Sequence, residues 1–187
     1  MTMNILILVV KSARILRMRL IKMISAEYEN VAIEIEQQVI KVIKGMRQEG
    51  LTDKESGGML IGSILTNSND IVIKDYTFPQ KGDYQSRYRF IRREKSHNAL
   101  LQQKWEESNK TVMYMGEWHT HPEIDPHYSR QDLRNWKKLL SKSKTFSDYL
   151  VFIIGGINIF KVWVGSRENG DIVLVYKGAY NESNKFN

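Results

Sequence analysis

Short apolar, β-branched runs separated by turn residues are the feature that most constrains the fold of this 187-residue chain. Val31–Ile35 alternates apolar and polar residues with a period of two, which is typical of a strand. Six further runs have the same strand-like character. They cover 59–65, 71–78, 111–120, 149–155, 158–164 and 171–176. The sequence therefore predicts a largely antiparallel or mixed sheet.

Three segments with helical spacing alternate with these runs. Val39, Val42, Ile43 and Met46 recur at helical intervals and predict an amphipathic helix that stops at Gly50. Two more helices are predicted over about 94–108 and from about Ser129 to Leu140, while 79–93 has loop composition. We expect one α/β domain without repeats or linkers.

Composition excludes several classes of protein. Apolar residues make up 42% and charged residues 26% of the chain, which is ordinary for a globular domain and excludes a disordered one. The absence of cysteine excludes disulfides, thiolate nucleophiles and cysteine-based zinc sites, and it fits a cytoplasmic protein. The sequence contains no run of 18 apolar residues, so it predicts no membrane-spanning helix.

The net charge of +7 is unevenly distributed. Residues 1–24 hold five basic residues and no acid, so the remaining chain carries only +2. Three interpretations of this leader stay open: an extra strand with a basic segment, a misassigned start with Met18 or Met23 as the true one, and a membrane-surface segment. A second basic cluster lies at 81–95, interleaved with aromatic residues. Because the charge sits in a leader and one loop, we expect no nucleic-acid partner.

His119 and His121 close the predicted strand 111–120, in the order Glu-Trp-His-Thr-His-Pro. Residues i and i+2 of a strand point to one side, so the two imidazoles face the same way. With Asp132 they form the ligand set of an open zinc site, in which water takes the fourth position. Ser129 and Asp132 also have the spacing of a helix capping box, and the two interpretations are compatible.

Glu55 precedes Ser-Gly-Gly-Met-Leu-Ile-Gly at the start of a predicted strand. Paired glycines allow a neighbouring strand to approach without side-chain obstruction. A carboxylate in that position has the chemistry needed to take a proton from water at a metal and return it to a leaving amine. Glu117 falls on the same strand face as the histidines and is a second candidate for a role at the site.

Glu55, the glycine-containing strand, His-Thr-His-Pro, and Ser129-x-x-Asp132 at their spacing resemble the JAMM (MPN-plus) signature of zinc metallopeptidases. The resemblance covers about residues 28–178, leaving 1–27 as an extension and 179–187 as a polar tail. It implies a JAB/MPN fold, with a curved sheet flanked by helices as in cytidine deaminases. It also implies one zinc bound by His119, His121 and Asp132.

The same resemblance implies roles for Glu55 and Ser129, while the roles of Glu117, Arg87 and Arg89 are inferred from their positions. Glu55 would activate the water on the zinc, and Ser129 would donate a hydrogen bond to the oxyanion of the tetrahedral intermediate. Glu117 would be a hydrogen-bond partner of an imidazole. Arg87 and Arg89 are candidates for contacting an extended substrate tail, which would pair with the strand edge near His119.

Residues 114–123, the stretch 87–92 and the later His97, Trp105 and Ser108 are similar to JAMM isopeptidases encoded beside E1/E2-like enzymes in CBASS anti-phage operons. This similarity implies removal of a cyclic-oligonucleotide synthase, a nucleotidyltransferase attached through its C-terminal tail to target lysines. The alternatives are release of a ubiquitin-like protein, in another conjugation or sulfur-carrier pathway, and a non-catalytic MPN scaffold. A scaffold would be expected to lack one or more of the ligands.

Overall fold

The computed structural model describes residues 23–180, which form ten strands and three helices. The helices are α1 (Gln37–Gly45), α2 (Glu94–Glu107) and α3 (Arg130–Lys142). The strands are β1 (Met23–Tyr28), β2 (Val31–Glu36), β3 (Gly57–Ile64), β4 (Ile71–Tyr76), β5 (Tyr84–Ser86), β6 (Arg89–Ile91), β7 (Met113–Thr120), β8 (Tyr149–Gly155), β9 (Ile159–Ser166) and β10 (Ile172–Ala179).

Eight strands form one sheet in the order β1-β2-β4-β3-β7-β8-β9-β10, and β5 and β6 form a separate hairpin. The β2–β4 and β7–β8 pairs are parallel and the other pairs are antiparallel. The sheet curves strongly, so the Tyr149 hydroxyl on β8 donates to the Glu29 carboxylate in the turn after β1. The prediction of a mixed, mostly antiparallel, curved sheet with flanking helices is confirmed.

Both faces of the central strands are covered, which explains the continuous apolar run in β8. Val151 and Ile153 pack in the cluster that also contains Ile43 of α1. Phe152 packs on the other face, where its ring stacks on Trp136 of α3 at a centroid separation of 4.5 Å. The sheet therefore separates two apolar cores, and α3 is held against the second by its buried aromatic side chain.

The pairing of β3 with β7 depends on glycine. Gly57 lies opposite His119 and Gly58 opposite Trp118. A Cβ atom at Gly57 would lie 2.7 Å from the Trp118 carbonyl oxygen, and one at Gly58 would lie 2.0 Å from the Thr77 carbonyl oxygen. The expectation that these glycines permit close strand approach is therefore confirmed.

Several details differ from the sequence-based expectations. Segment 79–93 is not only loop but contains the β5–β6 hairpin. α1 ends at Gly45 rather than Gly50, and the Gln48 side chain that follows it donates to the carbonyls of Asp53 and Arg87. β7 is paired on both sides, by β3 and β8, so it has no free edge for a substrate tail.

The strand β1 was not predicted, although it pairs with β2 along its whole length. It lies mostly in the range expected to be an N-terminal extension, and β10 reaches one residue past the expected end of the domain at 178. The three interpretations of the basic leader concern residues almost entirely outside those described, and the domain boundaries stay a prediction. Within residues 23–180, no helix is both long and apolar enough to cross a bilayer.

Replacement of Gly116 by alanine tests the close approach of β7 to β8. Gly116 has φ +138°, and its Cβ would lie 1.8 Å from the Val151 carbonyl oxygen. We expect Gly116→Ala to lower the free energy of unfolding by about 3 kcal/mol or more, measured by urea denaturation. Gly170→Ala is the control, because its φ is +78° but its Cβ meets open space. Equal losses in the two variants would contradict the close approach of β7 and β8.

Candidate metal centre

The strand β7 delivers two imidazoles to one point. His119 and His121 are buried, and their Nε2 atoms lie 3.1 Å apart. His119 is the last but one residue of β7, and the His121 amide continues the pairing by donating to the Gly155 carbonyl. The backbone of both residues is therefore fixed by β8, which aims the two rings at the same place.

Asp132 approaches the same point from the first turn of α3. Its Oδ1 lies 3.5 Å from His119 Nε2, and its Oδ2 lies 3.5 Å from His121 Nε2. The Ser129 amide and hydroxyl each donate to Oδ2 at 2.6 Å, while the Ser129 hydroxyl accepts from the Asp132 amide. The predicted capping box is confirmed, and it orients the carboxylate so that Oδ1 faces His119.

The two imidazoles have the spacing of ligands on one tetrahedral metal ion. Ligand atoms about 2.0–2.1 Å from zinc in a tetrahedral arrangement lie roughly 3.3 Å from one another, and the two Nε2 atoms are 3.1 Å apart. Each Nε2 lies 3.5 Å from a different oxygen of Asp132, and one ligand atom from each of the three side chains lies within 4.8 Å of the other two. Among the described residues, His119, His121 and Asp132 are the group of metal-binding side chains with this convergence. The donor set of two nitrogens and one carboxylate oxygen is one that zinc uses in catalytic sites.

The charges at the site also favour a cation. Burial would raise the pKa of Asp132, but the His119 imidazole and hydrogen bonds from His119, His121 and Ser129 hold it far below its usual value. Burial would lower the pKa of His119, but Asp132 and the acids Glu55 and Glu117 raise it instead. The Asp132 carboxylate is therefore ionised. Together with Glu55 and Glu117 it favours a positive charge at the imidazoles.

The loop between the ligands is fixed at its far end. Asp125 accepts from Lys161 of β9 at 2.8 Å and from Lys177 of β10 at 3.0 Å. Pro126 packs on Gly156, where a Cβ would lie 2.6 Å from the proline ring. These contacts, together with the restricted backbone of Pro122 and Pro126, hold the segment that separates His121 from Asp132.

Glu55 lies immediately before β3 and is buried at the edge of the same site. Its Oε1 is 3.9 Å from His121 Nε2. Desolvation by burial raises the pKa of Glu55 to about 7, and the negative charge of Asp132 acts in the same direction. The His119 imidazole and the Phe90 backbone amide act in the opposite direction. A carboxylate with a pKa near neutrality can both accept and return a proton at physiological pH.

Glu117 is held by a partner that the sequence analysis did not identify. Arg92, just after β6, donates from Nε to Glu117 Oε1 at 2.7 Å, and both side chains are largely buried. The Nδ1 atom of His121 has no hydrogen-bond partner among the described residues, and Glu123 Oε1 is 3.9 Å away. A role for Glu117 as the partner of an imidazole stays a prediction. Its contact with Arg92 joins β7 to the hairpin.

Arg87 and Arg89 occupy different environments in the β5–β6 hairpin. Arg87 donates to the carbonyls of Gly50 and Leu51 at 2.7 and 2.6 Å. Arg89 is exposed at the start of β6. Arg87 therefore pins the hairpin to the turn after α1, whereas Arg89 is the more available of the two for a substrate. Either role in substrate binding stays a prediction.

A basic surface on α3 was missed by the sequence analysis. Since Trp136 and Leu140 face the core, the opposite side of α3 faces solvent. The basic residues exposed in α3 and just after it are Arg130, Arg134, Lys137, Lys138, Lys142 and Lys144. Counting each of them at its helical position would have revealed the stripe. Positive charge is therefore concentrated in a third region besides the leader and the 81–95 cluster.

Metal binding is tested by removing one imidazole. We expect the protein to bind one zinc ion and His121→Ala to weaken zinc binding by more than about 100-fold, because even the loss of an outer partner of a ligand costs 10- to 100-fold. Competition with a chromophoric chelator measures the affinity. His127→Ala is the control, since this exposed histidine belongs to the loop but not to the ligand group. Equal affinities for the two variants would contradict the site.

Comparison with known proteins agrees with this site. Residues 22–165 match the family described as prokaryotic homologs of the JAB domain. A Pseudomonas aeruginosa protein named CD-NTase/cGAS isopeptidase is 30% identical over 131 residues, covering 70% of this chain and 82% of that protein. An Escherichia coli protein of the same name is 30% identical over 151 residues, covering 81% of this chain and 91% of the relative.

The fold is also similar to the crystal structure of a JAB1/MPN domain protein from Archaeoglobus fulgidus. That similarity has a TM-score of 0.40 and 16% identity, over 78% of this chain and 95% of the other. The family match covers most of the chain and includes His119, His121, Asp132, Glu55 and Ser129. The chain therefore belongs to the prokaryotic JAB domain family.

Proposed function

We propose that this protein is a zinc-dependent JAMM isopeptidase that releases a CD-NTase conjugated through its C-terminus to lysines of target proteins. The hydrolase class follows from the family and from the isopeptidase names of the relatives. The observation that carries the proposal is the buried Glu55 carboxylate, 3.9 Å from a histidine of the ligand group and with a pKa raised to about 7.

His119, His121 and Asp132 would hold the zinc ion. When bound, zinc supplies Lewis-acid chemistry, polarising the scissile carbonyl and acidifying the attacking water. Glu55 takes a proton from the attacking water as the water oxygen adds to the carbonyl carbon. The C–N bond then breaks, and Glu55 returns the proton to the departing lysine amine. The immediate products are a carboxylic acid and an amine, and transfer of the acid's proton to the amine gives a carboxylate and an ammonium group.

We propose that Ser129 stabilises the oxyanion. Its hydroxyl lies at the N-terminus of α3, beside the ligand Asp132. In the present structure the hydroxyl proton is donated to Asp132 Oδ2. A serine hydroxyl has a single proton, so Ser129 must turn from Asp132 toward the substrate oxygen during the reaction. Its acceptor lone pairs still cap the helix amide after that turn.

The substrate tail would lie beside the hairpin rather than along β7. Both edges of β7 are occupied, whereas β5 and β6 pair only with each other among the described strands. The exposed Arg89 and Tyr88 at the hairpin tip suit an extended tail with nearby acidic groups. We propose that an E1/E2-like enzyme makes the conjugate that this protein cleaves. A cytoplasmic location and the absence of a nucleic-acid partner stay predictions.

Cleavage of a defined fusion tests the proposal. The substrate is a CD-NTase joined through its C-terminus to a reporter protein, and intact mass spectrometry identifies the products. We expect zinc-loaded wild-type protein to cut at the CD-NTase C-terminus, a chelator to abolish cutting, and zinc to restore it. Glu55→Gln should bind zinc normally but cleave about 100- to 10,000-fold more slowly, because it cannot accept the proton.

A fusion carrying a ubiquitin-like protein in place of the CD-NTase is the matched substrate control. Preferential cleavage of that fusion would replace the CD-NTase by a ubiquitin-like modifier as substrate. Wild-type protein that holds one zinc but cuts neither fusion would contradict the isopeptidase proposal. Cleavage by Glu55→Gln at the wild-type rate would contradict the role of Glu55.

The two roles of Ser129 are separable by substitution. Ser129→Gly removes the hydroxyl but costs the helix cap only a few tenths of a kcal/mol, because glycine is itself tolerated at this position. We expect kcat to fall about 100- to 1,000-fold with little change in thermal stability. Ser129→Thr keeps a hydroxyl and should retain much of the activity. An active Ser129→Gly variant would show that the hydroxyl serves only as a cap.

A further inference from the structure

The β5–β6 hairpin contributes directly to the environment of Glu55. The Glu55 amide donates to the Ser86 carbonyl at 2.8 Å, and the Gln85 side chain donates to the Glu55 carbonyl at 2.9 Å. The Phe90 ring lies over the start of β3, where a Cβ atom at Gly57 would be 2.5 Å from it. A two-stranded hairpin is marginally stable by itself. Its position beside Glu55 must therefore be fixed by contacts at its base.

Asp83 closes that base. It precedes β5, and its Oδ1 accepts from the amide of Arg93, which lies just after the second strand, at 2.7 Å. Its Oδ2 accepts from the Gln80 amide at 2.7 Å. Burial would raise the pKa of Asp83, but these amides and His97 hold it below its usual value. An ionised, fully buried carboxylate thus joins the two ends of the hairpin.

His97 connects this carboxylate to the central sheet. Its Nε2 lies 2.9 Å from Asp83 Oδ2, and its Nδ1 lies 2.6 Å from the Thr77 hydroxyl. The ionised Asp83 carboxylate can only accept, so the ring proton lies on Nε2 and is donated to Asp83. In the neutral ring, Nδ1 then accepts the proton of the Thr77 hydroxyl, which itself accepts from the Met59 amide at 2.8 Å. Each polar atom along this chain of hydrogen bonds has a partner.

Thr77 is fastened to both central strands. Its amide donates to the Met59 carbonyl of β3 at 3.0 Å, and its carbonyl accepts from Trp118 Nε1 of β7 at 3.1 Å. Trp118 directly precedes the ligand His119. The order of carboxylate, histidine and hydroxyl is that of a hydrolytic triad, but His97 is 0% and Thr77 1% exposed. No substrate reaches them, which excludes a second nucleophilic site.

We infer that Asp83, His97 and Thr77 form a positioning relay that sets the hairpin against β3 and thereby holds the Ser86 carbonyl at the Glu55 amide, which fixes the backbone from which the Glu55 carboxylate projects. The inference rests on the proposed role of Glu55 in proton transfer. His97 is a positioning residue and touches neither the ligand group nor the substrate. Its loss should leave the metal site intact and disturb the acid–base group, because the hairpin bonds to Glu55 itself, whereas no hydrogen bond among the described residues joins residues 84–91 to His119, His121 or Asp132.

The variant His97→Phe fills the same buried space without hydrogen bonds. We expect kcat for cleavage of the CD-NTase fusion to fall about 10- to 100-fold, as misplacement of a catalytic group by about an ångström does. Zinc affinity should match that of wild type. Hydrogen exchange of the Glu55 and Phe90 amides, followed by NMR, should be faster than in wild type, because the Glu55 amide bonds to the hairpin at Ser86 and Phe90 lies on the second hairpin strand.

Arg167→Met is the matched control for general destabilisation. Arg167 is also part of a polar network and donates to the carbonyls of Leu140, Ser143, Thr145 and Ser147, far along the chain from the hairpin. It should lose stability while keeping kcat and the exchange rates of the Glu55 and Phe90 amides. A loss of kcat in His97→Phe no greater than in Arg167→Met would overturn the relay.

Asp83→Asn provides a second variant if His97→Phe does not fold, because it keeps the shape of the side chain and weakens the link to His97. The single variant His97→Gln retains a donor toward Asp83. Comparing it with Asp83→Asn distinguishes the relay from simple packing. Partial recovery of kcat in His97→Gln supports the relay. Amide exchange at Glu55 and Phe90 tests the inference even if the fusion is not cleaved, so unchanged exchange overturns it independently of the proposed function.

Discussion

The pairing of β3 with β7 is the contact on which the rest of the site depends. Gly57 faces His119 across this pair, and Ser56 exchanges hydrogen bonds with Thr120 through its amide and carbonyl. Glu55 is thereby placed beside the imidazoles, and the parallel partner β8 fixes the other side of β7. A side chain at Gly57 would press on the Trp118 carbonyl and one at Gly58 on the Thr77 carbonyl, so either would displace β3 and move the carboxylate away from the ligand group.

Much of the site could be predicted from the sequence because its chemistry is local. His119 and His121 share a strand face by the two-residue period, and the spacing of Ser129 and Asp132 is that of a helix N-terminus. Apolar periodicity located most elements of the main sheet, since buried strands and amphipathic helices have distinct repeats. Placing Glu55 required the resemblance to a family, because no periodic pattern relates it to the histidines.

The elements that escaped prediction depend on contacts between distant segments. β5 and β6 have three residues each and no buried residue, and they are held by Asp83, His97 and Arg87 rather than by a buried apolar face. The apolar alternation of β1 is weak, and its strand is held by pairing with β2. The Arg92–Glu117 ion pair joins residues 25 positions apart in the sequence, and no local rule indicates it.

The metal ligands and the proton-transfer group are assembled by different parts of the fold. His119, His121 and Asp132 come from one continuous stretch of the chain, whereas Glu55 reaches them only when the antiparallel β3–β7 pair has formed. Contacts between nearby residues form at lower entropic cost than those that close long loops. A partly folded molecule with its 119–132 segment ordered would hold metal without a base beside it. Metal stoichiometry in a preparation therefore sets an upper bound on the fraction of competent enzyme.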